Sequence, residues 1–167
     1  GALRALHTLN VSYNQLTALD ASALAELPAL RHLDASHNLL TRVEPVGSGG
    51  AAARLPRGLE TLDLSHNRIA RIGGGVAGCA RLRVVRLAHN RLRSAGGLES
   101  LTALEHLDLG HNAIAGSLSV RILSFNRALR SLVLAGNPFA AGARYRPSVI
   151  CTLPHLVTID HKALPQQ

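Results

Sequence analysis

The sequence predicts an α/β fold: a right-handed solenoid with a parallel β-sheet on its concave face and short helices or 3-10 segments on its convex face. Three observations carry that expectation. The string Leu-x-x-Leu-x-Leu-x-x-Asn-x-Leu recurs six times in 167 residues. The asparagines of successive copies lie 24, 29, 23, 22 and 25 residues apart, the period of an array in which each copy is one stacking unit. In the second half of the copies, leucines recur every third residue with few β-branched neighbours, which suits a short helix or 3-10 segment.

The elements follow in chain order. The first copy is Leu6, Leu9, Val11, Asn14, Leu16, and the second is Leu30, Leu33, Ala35, Asn38, Leu40. The third is Leu59, Leu62, Leu64, Asn67, Ile69, and the fourth is Leu82, Val85, Leu87, Asn90, Leu92. The fifth is Leu104, Leu107, Leu109, Asn112, Ile114, and the sixth is Leu129, Leu132, Leu134, Asn137, Phe139. The alternating piece of each copy is a short strand with one face buried. The amides of Asn14, Asn38, Asn67, Asn90, Asn112 and Asn137 turn inward as a ladder that satisfies the backbone groups left free by the turn. Between strands, Leu24, Leu27 and Leu30, and again Leu98, Leu101 and Leu104, form the convex return. Residues 44–58 lengthen one copy by a Gly-, Ser- and Pro-rich insertion, expected as a flexible loop.

After the sixth copy, Pro147 suits a first helical position, Val149, Ile150 and Leu153 make one apolar face, and Pro154 stops the helix. Leu156 and Ile159 then add a last short strand. The organisation is therefore six repeats over 1–140 and a terminal cap over 141–167. Residues 1–5 run into the first strand without a cap, which leaves an apolar end, so the chain is expected to belong to a larger chain or complex.

The repeated string resembles the leucine-rich repeat. Copies of about 22 residues, most closely residues 98–114, are similar to the subfamily typified by the leucine-rich regulatory subunit of protein phosphatase 1. Tyr145-Arg146-Pro147-Ser148-Val149-Ile150 through Asp160 resembles the C-terminal cap of intracellular members, departing at Ile159 and at His161, where that cap usually has Gly. Repeats and cap together resemble the axonemal dynein light chain and ciliary or centrosomal adaptors. The resemblance implies a non-catalytic protein-interaction scaffold, cytoplasmic and cytoskeletal, extending to a cilium or flagellum. A regulatory subunit of a phosphatase-type enzyme and a spliceosomal protein-binding subunit are the alternatives.

Composition narrows the classes. The chain is 47% hydrophobic and 17% charged, enough to bury a core. Four aromatic residues (Tyr13, Phe125, Phe139 and Tyr145) are too few for a stacking reader of single-stranded nucleic acid, so RNA contact is not expected. No apolar run is long enough to span a membrane, and no signal peptide is read at the start. Cys79 and Cys151 are too few for a disulfide scaffold and point to a reduced, intracellular compartment. Seventeen Arg and one Lys against ten acids give a net charge of +8. This reflects either a bias towards Arg or a surface for acidic partners such as tubulin or dynein.

Candidate sites lie on two surfaces. Outward on the concave sheet run Asn10, Asp34, Asp63, Arg86 and Asp108, flanked by His32 and His106, with Tyr13 as the aromatic anchor. Register puts Arg86 beside both Asp63 and Asp108. A basic rim is expected from Arg42, Arg68, Arg71, Arg91 and Arg93, each one to four residues past a ladder Asn. His37, His66, His89 and His111 immediately precede ladder asparagines and should stack; a parallel row does not converge on a metal, and a pH effect is the sharper alternative to plain surface. Gly73-Gly74-Gly75-Val76-Ala77-Gly78 fits Gly-x-Gly-x-x-Gly, but on a convex return it lacks the strand and helix a dinucleotide site needs. No catalytic residue, cofactor, metal or small-molecule substrate is expected; the partner is a protein.

Overall fold

A computed structural model describes residues 2–46 and 54–165. Residues 47–53 of the insertion read at 44–58 therefore lie outside the described residues. Six three-residue strands follow the six copies: β1 Thr8–Asn10, β2 His32–Asp34, β3 Thr61–Asp63, β4 Val84–Arg86, β5 His106–Asp108 and β6 Ser131–Val133. They form one parallel sheet in chain order, continued by β7 Thr158–Ile159. Equivalent positions pair throughout: Leu9 with Leu33, Leu33 with Leu62, Leu62 with Val85, Val85 with Leu107, Leu107 with Leu132 and Leu132 with Ile159. From Leu33 onward this central column is buried, because in a strand only alternate side chains share a face.

The convex side carries less helix than the leucine spacing predicts. There are short helices at α1 Ala21–Ala25 and α2 Leu118–Arg121, the second running into a 3-10 turn at Ile122–Phe125. Asp20 caps α1 by accepting from Ser22 N and Ala23 N, and these bonds lower its pKa. Elsewhere the return is a chain of turns. Leu27 N donates to Leu24 O and Leu30 N to Leu27 O; Leu101 N donates to Leu98 O and Leu104 N to Leu101 O. The three-residue bonding is there, but too few residues separate the strands in most copies to build a full helix on it. The glycines at 73–78 lie in such turns, with no helix following.

The last helix, α3 Tyr145–Thr152, begins two residues before Pro147. Pro147 still falls in its first turn, where a missing N–H is tolerated. Val149 and Leu153 are buried under it and Ile150 is half-buried. The chain then turns through Asp160 and His161, at φ 50° and 61°, into β8 Lys162–Ala163, which runs antiparallel to β7. That reversal is absent from the repeat pattern.

Candidate functional site

The trailing edge of the sheet, where the chain leaves each strand, is built by the ladder. Asn67 Nδ2 donates to Ala35 O of the preceding copy and to Leu64 O and Ser65 O of its own, while its Oδ1 accepts from Leu40 N. Asn38, Asn90 and Asn112 repeat this four-bond pattern, and Asn137 repeats three of the bonds. Asn14 departs from it. It is exposed and donates only to Val11 O and Ser12 O, because no earlier copy lies beside it among the described residues.

One residue before each ladder Asn the backbone takes a left-handed conformation. Tyr13, His37, His66, His89 and His111 have φ between 52° and 55°. Each N–H donates to a carbonyl of the next copy (Ser36, Ser65, Ala88, Gly110 and Ala135 in turn) at 2.8–3.1 Å. The same φ and the same tether aim all five side chains alike. Their rings form one continuous stack, with centroids 4.1, 4.1, 4.2 and 4.3 Å apart and planes within 12° of parallel. Tyr13 therefore heads this column instead of anchoring the sheet face. Gly136 ends it: a Cβ there would strike the His111 ring. Burial first, and then the neighbouring His37 and His89, hold the His66 imidazole below its ordinary pKa against the pull of Asp63.

Beside the column, Arg42, Arg68, Arg71, Arg91 and Arg93 are all exposed. Arg68 N donates to Leu40 O and Arg91 N to Ile69 O, so these two occupy equivalent positions in adjacent copies. No guanidinium of the five forms an ion pair among the described residues. The leading edge, just before each strand, differs. There Arg31, Glu60, Arg83, Glu105 and Arg130 alternate in sign from copy to copy. Arg31 Nη1 meets Glu60 Oε1 at 2.8 Å, and Arg83 Nη2 meets Glu105 Oε1 at 2.7 Å. This alternation was readable as one residue before each predicted strand, and reasoning from motifs passed over it.

On the concave face the predicted row is in register: Asn10, Asp34, Asp63, Arg86, Asp108 and then Val133. Its charges do less free work than the row suggests. Asp34, Asp63 and Asp108 each commit Oδ1 to the backbone N–H two residues on, at Ser36, Ser65 and Gly110, and Asn10 does the same for Ser12. These bonds shape the exit from the strand. Arg86 pairs loosely with Asp63, at 3.7 Å, and forms no ion pair with Asp108 among the described residues. Arg86, His106, Asp108 and His161 rim an open cleft floored by Val84 and Val133, while His32 stands exposed two strands away from it.

Two further polar residues were not foreseen. Asn126 is fully buried in the convex row Leu123-Asn126-Leu129, and donates to Leu98 O and Leu101 O of the preceding copy. Cys79, at the equivalent place, aims its thiol at Leu55 O and Pro56 O. Burial pushes that thiol's pKa up, so it is a weak nucleophile.

Family models described as leucine-rich repeats match residues 1–40, 58–79 and 80–121, together more than half of the chain. The chain belongs to the leucine-rich repeat family. Human serine/threonine-protein kinase 11-interacting protein is 42% identical over 134 residues, covering 80% of this chain and 12% of that protein. Mouse podocan-like protein 1 is 37% identical over 160 residues, covering 92% of this chain and 26% of that protein. The chain thus spans about an eighth of the first relative and about a quarter of the second. Among solved structures, an internalin from Listeria monocytogenes matches at 26% identity and TM-score 0.69, over 94% of this chain and 42% of that one. A leucine-rich repeat protein of Leptospira interrogans matches at 24% identity and TM-score 0.73, over 95% and 38%. Leucine-rich repeats of this kind act through protein–protein interaction. None of these relatives bears a cytoskeletal or ciliary name.

Proposed function

We propose that this leucine-rich repeat domain is a non-catalytic scaffold that holds an acidic protein partner along its trailing edge, with Arg42, Arg68, Arg71, Arg91 and Arg93 as the contact residues. One observation carries the reading: these five arginines stand exposed and unpaired among the described residues, whereas Arg31 and Arg83 of the leading edge are matched with glutamates of the next copy. Unmatched cations on one flank raise the local concentration of acidic partners and their rate of docking. Residues 1–140 supply the repeats and 141–167 close the stack. The cytoplasmic, cytoskeletal setting and the acidic tails of tubulin as partner rest on the resemblance of repeats and cap to ciliary proteins.

Co-sedimentation with microtubules tests it. Intact microtubules should carry the domain down, tail-cleaved ones should not, and Arg68→Ala, Arg71→Ala, Arg91→Ala and Arg93→Ala combined should abolish pelleting. Equal pelleting of parent and variant sinks the rim assignment.

A second reading is favoured by the relative named for its interaction with a protein kinase. It takes the domain as an adaptor or regulatory subunit that seats an enzyme on the concave cleft rimmed by Arg86, His106 and Asp108. Reversing Asp63, Arg86 and Asp108 together should then release a bound kinase while leaving the microtubule result unchanged.

A further inference from the structure

The ring column has free donors and acceptors, a fixed pitch and, in Arg68 and Arg91, exposed cations two residues along the chain from His66 and His89. No hydrogen bond ties a ring nitrogen of His37, His66, His89 or His111 to another described residue. The planes are parallel, so in-plane lone pairs of neighbours do not converge, and the column is not a chelating site. What a parallel file of imidazoles can do is take up protons along a line. We propose that this column, with Arg68 and Arg91 beside it, is a docking strip for an acidic peptide segment that binds more tightly as the medium becomes mildly acidic. The proposal rests on the reading of the trailing edge as the surface for an acidic partner, and adds to it a second set of contacts and a regulator.

The charged and titratable groups facing the column are few. Tyr13 closes one end and Gly136 the other. Three residues before the four histidines, on the adjoining strand ends, stand Asp34, Asp63, Arg86 and Asp108 in turn, and Arg68 and Arg91 lie two residues after His66 and His89. Three of the four strand-end groups are acids with one oxygen each held by a backbone N–H. In the free domain, protonating one ring sets a charge about 4 Å from its neighbours, so the column resists filling. His66, in the middle of the file, shows that resistance, with burial as its main cause. An acidic chain laid along the file offsets the repulsion. Binding then draws protons onto the rings, and by linkage a lower pH must strengthen binding.

The test uses a short oligoaspartate peptide, whose carboxylates stay ionised at about pH 5.5. Its dissociation constant is measured by calorimetry at about pH 7.5 and about pH 5.5, at constant ionic strength. The parent should bind more tightly at the lower pH by about fivefold or more. His66→Asn combined with His89→Asn should lose the tightening, its affinity changing by less than about twofold between the two pH values; Asn accepts the left-handed backbone at both positions. His7, His32, His106, His155 and His161 remain in that variant and control for a general gain of positive charge. A parent that does not tighten, or a variant that tightens equally, overturns the strip and leaves the arginine rim standing. Loss of binding at the higher pH in the parent, or binding there that survives Arg68→Ala with Arg91→Ala, sinks the rim reading instead. Where the double variant fails to fold, proton NMR of the parent decides: peptide should raise the apparent pKa of the column imidazoles, and unchanged titration overturns the proposal.

Discussion

The two edges of the sheet share a scaffold and differ in how they handle charge. On the leading edge the sign of the charge alternates from copy to copy, and two ion pairs cross between copies, Arg31 to Glu60 and Arg83 to Glu105. On the trailing edge a buried amide ladder underlies a file of stacked rings and a set of arginines that form no ion pair among the described residues. Stacking equivalent positions about 4.8 Å apart would repel wherever one sign repeats. The leading edge answers by alternating sign. The trailing edge repeats its sign, with Arg68 and Arg91 at equivalent positions of adjacent copies, and leaves the guanidinia to solvent. An edge that neutralises itself contributes to holding the stack; an edge that does not is available to something else.

The largest expected effect lies under the trailing edge. Asn67→Ala removes a buried amide that four backbone groups depend on, and should cost about 1–3 kcal/mol in urea unfolding. Asn14→Ala, at the exposed and half-satisfied position, should fall within about 0.5 kcal/mol. Equal losses would mean that the ladder is not what distinguishes this edge.

The next effect is on binding. Combined Arg68→Ala, Arg71→Ala, Arg91→Ala and Arg93→Ala should weaken an acidic partner by about tenfold or more, with a melting temperature like the parent's. A variant that loses stability instead would make this edge structural.

Acid should then reduce stability. His66 and His155 both have pKa values held below the unfolded value of about 6.5, mainly by burial. The unfolded chain therefore binds the extra protons first. The stability these groups contribute is present above about pH 6.5 and is lost as pH falls through their folded values. Melting followed by circular dichroism over this range should show the fall, and His66→Asn should lessen it, His155 keeping its own share. A melting temperature that stays level in the parent would overturn the assignment of neutral rings to the folded state.

The smallest effect belongs to the leading edge. Arg31→Ala breaks a part-exposed ion pair and should cost only about 0.2–1 kcal/mol, and less in high salt.

Much of this was readable beforehand because a period forces equivalence. Once Asn38 and Asn67 are seen to repeat, their bonds, the register of Leu33 with Leu62 and the stacking of His37 on His66 follow together. Features outside the period stayed hidden. The reversal into β8 depends on left-handed Asp160 and His161, which occur once. Asn126 escapes a pattern that names only apolar types at its place, although its spacing from Leu123 and Leu129 marks it as inward. Tyr13 was placed on the sheet face because residue type was weighed above position; its place before Asn14 is that of the histidines. The turns tied by Asp34, Asp63 and Asp108 were missed because these side chains were read for charge and not for the N–H two residues on.

The ring file also bears on the curvature of the molecule. Its members sit 4.1–4.3 Å apart, on backbones whose strands repeat about every 4.8 Å. Each step is shorter at the side-chain tips than at the strands. Five rings in series thus act as a tie cord drawn along one flank, shortening that flank relative to the sheet. Gly136 is where the cord is let go: from there to β8 the stack is tied instead by Asp160, whose Oδ1 accepts from Leu134 N and Ala135 N and whose Oδ2 accepts from the Tyr145 hydroxyl.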